Sequence, residues 1–470
     1  MTKRKDVSTG ISEEPNMHRE DNAMNLNHKK FSVRITASEV LMVLLCILYS
    51  MAFAPTVYAE VLTLPAGLRL VTENNRLIKI SEHEEQMSEA DTLIAKSRTL
   101  PEVNASGGYT SLAHQPTALF GTQTVPISEK DYLSYSLSVQ QTLYDFRKNA
   151  SQYEASKKLL DAKKLDAART RNLVAIDFVL VYLDLLESEN LLKVSEKEVE
   201  RLEAHLRDAK SLYEEGVITK NDLLQAEVKI SDARQRLLTA RNLRAVTASR
   251  LNSILVRPLT AAVQVEDISQ VSPQWIETDR EKLWEIAERQ RPEIQIMEET
   301  MKALDLEKTA TRAEYFPRLF LKGGYDYAEN RYQVHEGNWS VTLGMGINLF
   351  QGGRTRAELL KIEGQRMRLV EEKNKLLDDI KLEVEKYLLD VKTARERVAV
   401  TKDAVQQAEE NLRINRVKYA EGVGTATDVL DAVTLLTVAE TNFYRSLYDA
   451  KKAEAAVLYA TGKDILEVYN

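Results

Sequence analysis

Hydrophobic positions recur along this chain with two different periods. Leu133, Tyr135, Leu137 and Val139 alternate with Ser134, Ser136, Ser138 and Gln140. Trp339, Val341, Leu343, Met345, Ile347 and Leu349 alternate likewise with Ser340, Thr342, Gly344, Gly346 and Asn348. Period two, with one apolar and one small polar face, predicts strands. Weaker alternation over 103–109 and 319–327 supplies a partner for each. The clear strands are about 11 residues long, enough to cross an outer membrane at a tilt. Elsewhere the period is 3.5. Ile380, Val384, Tyr387, Val391, Ala394, Val398, Thr401, Val405, Ala408 and Leu412 step by four and three throughout. Sustained spacing of that kind predicts coiled-coil helices. Helices are predicted over about 66–98, 147–214 and 220–256, the long one spanning roughly 100 Å. Gly216 is placed to end the long helix, and Thr219 with Asp222 to start the next as a capping box.

The same unit occurs twice. Tyr213, Gly216, Thr219 and Asp222 match Tyr419, Gly422, Thr425 and Asp428 at an offset of 206, and the coiled-coil seam matches Val174, Phe178, Val181, Leu185, Ser188, Leu192, Ser195, Val199, Leu202 and Leu206 at the same offset. Ile78, Pro101 and Gly107-Gly108-Tyr109 match Ile294, Pro317 and Gly323-Gly324-Tyr325 at 216. A ten-residue indel therefore falls between Tyr109 and Tyr144 in the first copy and Tyr325 and Phe350 in the second, where a loop would absorb it. The expected organisation is a first repeat over 60–257, a connector over 258–275, a second repeat over 276–462 and a tail over 463–470.

Composition narrows the class. Of 470 residues, 17 are Gly and 10 Pro, and no Pro lies beyond Pro317, which suits long helices rather than an α/β enzyme. The net charge of −7 argues against nucleic acid as a partner. Residues 40–54 form an apolar run preceded by His28, Lys29, Lys30 and Arg34, with small residues at Val57 and Ala59. This reads as a signal peptide over 1–59 with an extended leader, for which Met24 is an alternative start to Met1. Cys46, the single cysteine, falls inside it, and no small residue precedes it as a lipoprotein site requires. No later segment is apolar enough to span a bilayer as a helix. The six histidines show no ligand spacing, and no phosphate loop, nucleophile motif or cysteine cluster appears, so neither catalysis nor a metal or other cofactor is expected.

Four strands with open edges cannot reside in hydrocarbon, where every backbone polar group needs a partner. Closure demands several chains: two would give eight strands and a filled barrel, three would give twelve and an open passage. Aromatic residues at the strand ends (Tyr132, Tyr144, Phe146, Tyr315, Phe316, Trp339, Phe350) suit a lipid–water boundary. A soluble sandwich hairpin is the plain alternative.

The Leu100-Pro101 and Phe316-Pro317 junctions, Leu349-Phe350-Gln351-Gly352-Gly353-Arg354 before a long helix, and Thr427-Asp428-Val429-Leu430-Asp431 together resemble the TolC family of outer-membrane ducts across the whole chain after the signal. The resemblance implies a mainly α homotrimer with a membrane β-barrel of twelve strands, four per chain, continued by a coiled-coil α-barrel through the periplasm. It implies no cofactor, and as partners a periplasmic adaptor, an inner-membrane transporter and outer-membrane lipid. It also implies that Asp428 and Asp431 constrict the periplasmic opening. Positions i and i+3 share a helix face, and six carboxylates about 8 Å apart repel by roughly 0.5 kcal/mol per adjacent pair even in water. The plainer reading has Asp428 capping its helix and Asp431 solvated. Tyr419 and Asp222 match two members of the family's gate latch. Its arginine position falls at Gly424, so that salt bridge is absent. The turns at Gly216 and Gly422 would meet the adaptor. The expected function is export of small molecules in a three-part efflux system, with type I protein secretion, or a periplasmic coiled-coil adaptor or scaffold, as alternatives.

Overall fold

The computed structural model describes residues 61–268 and 279–469. The signal peptide, Cys46, both candidate starts and part of the connector lie outside the described residues. The long helices form where expected: α3 (Lys148–Glu214) and α7 (Arg354–Ala420), of 67 residues each, return through α4 (Lys220–Ile254) and α8 (Ala426–Ala460), of 35 each. Shorter helices complete each rod: α1 (Leu64–Asn74) and α2 (Arg76–Ser97) in the first half, α5 (Arg280–Gln290) and α6 (Pro292–Arg312) in the second. All twenty seam positions are buried or half-buried.

The helix expected over 66–98 is two helices. Asn75 leaves the helical region at ψ 134°, where it ends α1 and caps α2 by accepting from the Leu77 N–H. Its side-chain amide donates to the Ile254 carbonyl at 3.1 Å, so the break is fixed by a residue 179 positions away.

The strands β1 (Glu102–Ser111), β4 (Asp131–Tyr144), β5 (Arg318–Ala328) and β6 (Gly337–Gly346) make one antiparallel sheet in the order β1-β4-β5-β6. Register places Ala105, Leu137, Tyr325 and Trp339 in one cross-strand row, and Ser106, Ser136, Asp326 and Asn338 in the next. The apolar rows stand open: Val341 is 80% and Leu343 70% exposed. β6 stops at Gly346 rather than at Leu349. Gly346 pairs with Arg318, the first residue of β5, so Ile347 and beyond have nothing opposite them. A small hairpin that the alternation did not reveal, β2 (Thr117–Phe120) with β3 (Gln123–Pro126), fills the β1–β4 connection. The β5–β6 connection has no counterpart, so the hairpin accounts for the unequal lengths of the two copies.

Left-handed backbone recurs at the 206 offset. Phe146 and Arg147 (φ 53° and 68°) correspond to Gly352 and Gly353 (60° and 82°), Gly216 (77°) to Gly422 (73°), and Val256 (56°) to Gly462 (78°).

The largest apolar core lies at the waist of the rods. There Leu68, Val71, Phe178, Tyr182, Leu185, Leu251 and Tyr448 pack together with Ile465 of α9 (Ile465–Tyr469). The Tyr182 hydroxyl lies 2.9 Å from the Leu62 carbonyl and 2.8 Å from that of Glu266, joining the start of the described chain to the connector. Beyond the waist the helices are tied by ion pairs. Arg201 of α3 grips Glu440 of α8 through two bonds of 2.8 Å. Glu189 of α3 takes Arg244 of α4, while Arg395, at the matching position of α7, takes Glu454 of α8 with the charges reversed.

Candidate functional site at the helical tip

The end of the rods remote from the sheet is built from two matching turns. At the first, the Val217 N–H donates to the Leu212 carbonyl and the Gly216 N–H to that of Tyr213; at the second, Val423 and Gly422 do the same toward Lys418 and Tyr419. These crossed bonds satisfy the last carbonyls of α3 and α7, and they require a left-handed residue, which glycine supplies at 216 and 422.

Capping boxes then start the returning helices. The Asp222 carboxylate accepts from the Thr219 amide at 3.0 Å and its hydroxyl at 2.7 Å, while the Asp222 N–H donates to the Thr219 hydroxyl. Asp428 repeats all three bonds with Thr425. These bonds from the Thr425 hydroxyl and amide hold the Asp428 carboxyl below the usual range. Asp428 and Asp431 are both exposed, three residues apart on the first turns of α8.

Tyr419 is buried in a core with Leu202, Leu412, Val429, Val433 and Leu436. Its hydroxyl makes no hydrogen bond among the described residues. Within the chain, therefore, Tyr419 and Asp222 are not bonded to each other, and Asp222 spends its carboxylate on its own helix start. Gly424 sits where a Cβ would lie 3.0 Å from Lys418 Cβ and 3.1 Å from the Tyr419 nitrogen, so the backbone here is packed against α7.

His205 was not singled out by its spacing, yet it is buried in the same tip, its ring 5.1 Å from that of Tyr419. The available signal was its position three residues after Leu202 and four before Ala209, both buried. Among the described residues no group of three His, Cys, Asp or Glu side chains is placed to hold a metal ion, and no helix is long and apolar enough to cross a membrane.

Comparison with known proteins decides the family. The model of the outer membrane efflux protein family matches residues 67–256 and 283–463. The chain belongs to this family. Its relatives include nodulation protein T of Rhizobium leguminosarum bv. trifolii, 23% identical over 80% of each chain, and outer membrane efflux protein BepC of Brucella suis, 22% identical over 85% of each. The alkaline protease secretion protein AprF of Pseudomonas aeruginosa is 23% identical over 71% of each chain. Among solved structures, CusC superposes with a TM-score of 0.75 at 18% identity, covering 85% of this chain and 92% of that one. As an outer membrane efflux protein, the chain is a transport protein rather than an enzyme. It resides in the outer membrane of a Gram-negative envelope, and its helices extend into the periplasm.

Proposed function

We propose that three copies close end to end into a twelve-stranded barrel and serve as the exit duct of an efflux system, carrying small molecules from an inner-membrane transporter through a periplasmic adaptor. The observation that carries this reading is the sheet. β1 and β6 each have one unpaired edge, one face is apolar and exposed, and the other is lined with Ser, Asn, Gln and Gly. In lipid such edges must pair, and a twofold assembly of eight strands would fill its own interior. Native mass spectrometry of the detergent-solubilised protein should give a trimer; a stable monomer would overturn the barrel. Deleting the gene should raise sensitivity to toxic small molecules.

In this duct Asp428 and Asp431 of three chains form an acidic constriction. Asp428, held ionised by Thr425, and the exposed Asp431 support that role. Replacing both with Ala should relieve block of single-channel current by multivalent cations; unchanged block would remove the assignment. Asp222 contributes by capping α4 and Tyr419 by packing the tip, while the turns at Gly216 and Gly422 face the adaptor. The similarity to AprF favours type I protein secretion as the second reading. Unaltered drug sensitivity together with a missing secreted protein in the deletion strain would select it.

A further inference from the structure

The tip contains two polar groups that nothing in the turn chemistry uses. His205 is 3% and Tyr419 6% exposed, so both are buried before any second chain is considered. His205 Nε2 and the Tyr419 hydroxyl make no hydrogen bond among the described residues. The two rings meet at 52° with centroids 5.1 Å apart. That contact joins α3 to α7, beside a cleft of about 530 Å³ lined also by Asp208, Ser211, Leu212, Arg416 and Val429. Burying an unpaired polar atom is unfavourable, so this packing is poised rather than secure.

We propose that the His205–Tyr419 contact is an acid-sensitive clasp: neutral imidazole holds α3 against α7 at the tip, and proton uptake by His205 releases it. An imidazolium carries two N–H donors and a full charge, and in the closed tip Nε2 has no hydrogen-bond partner among the described residues.

The surrounding charges set the sign. Burial is the largest influence on His205 and lowers its pKa from 6.5; Asp208 on α3 opposes that, and Arg416 on α7 reinforces it. From α8 the cleft receives the apolar Val429. The Tyr419 hydroxyl is kept neutral by burial, then by Asp222 of α4 and Asp208. With a lowered pKa in the closed state, the ring takes up its proton more readily once the clasp opens. Closure is therefore favoured above the ordinary histidine range and weakens as pH falls through it. The open-to-closed ratio can rise by at most about tenfold per pH unit for one such proton. The freed imidazolium then turns to Asp208 or to water.

Hydrogen–deuterium exchange of the full-length protein in detergent, at pH 7.5 and 5.5 and corrected for intrinsic rates, tests the clasp without relying on conduction. Segments 204–222 and 416–432 should exchange several-fold faster at pH 5.5, and the waist segment 174–186 should not. His205→Phe keeps a ring and cannot titrate, so it should abolish the acid response. Should that variant fail to assemble, His205→Gln serves the same purpose. Equal exchange at both pH values in the parent, or an undiminished acid response in either variant, would overturn the proposal. Because the readout is local exchange, failure of the acidic constriction leaves it intact, and the reverse.

Discussion

Val256 and Gly462 occupy corresponding sites after α4 and α8, both left-handed, yet one is β-branched. Left-handed backbone costs an L-residue about 1–2 kcal/mol, against about 0.5–1 kcal/mol of extra chain entropy for glycine. Val256→Gly should therefore raise stability by up to about 1 kcal/mol, read as a higher thermal midpoint. Gly462→Val should lower it, because a Cβ there would lie 2.9 Å from the Gln290 carbonyl carbon. Thr425 stands at the other extreme, making the bonds that its neighbour needs. Thr425→Ala removes the side-chain partner of Asp428 and should cost about 1 kcal/mol, detected as faster amide exchange over 426–429. The Asp428 carboxyl is lowered by these bonds, so its support for the helix start is complete above the ordinary carboxylate range and fades as pH drops through the lowered value. Such local chemistry was legible in the sequence because donor and acceptor lie three residues apart. The pairing of His205 with Tyr419 was not, since it joins positions more than two hundred residues apart that share no repeat offset.

Among the elements, the long helices could be read to within a residue or two, because seam, turn and cap all agree. Asn75 shows the limit: the anchor that breaks the helix, the Ile254 carbonyl, belongs to α4. The end of β6 shows another, for alternation continues to Leu349 while the partner strand does not. What holds helix to helix was also hidden, since Arg201 and Glu440 look like any solvated charges in a helical sequence. Glu440→Ala would leave the Arg201 guanidinium half-buried without its anion and should cost about 3 kcal/mol, measured as a fall in thermal midpoint. Pairing Arg201→Met with Glu440→Leu should restore most of that loss, because well-packed apolar residues replace buried ion pairs at little cost.

At the scale of the whole molecule, the two faces of the sheet make opposite predictions for adjacent residues. Leu343→Arg places a charge on the apolar face, where such a change costs about 2–4 kcal/mol near the middle of a bilayer, so the protein should be depleted from the outer-membrane fraction. Thr342→Arg, one residue away on the polar face, should leave that fraction unchanged. Equal depletion by both would mean that the apolar face does not meet lipid.

The waist has a consequence for how the chain comes to be folded. Its core unites Leu62, Leu64 and Leu68 with Leu458 and Ile465, and the Ile465 amide bonds to the Asn172 side chain. A polypeptide delivered through a translocation pore amino end first exposes the early leucines long before their late counterparts arrive. Its apolar centre therefore stays open from the arrival of the first leucines until Leu458 and Ile465 have emerged to cover it.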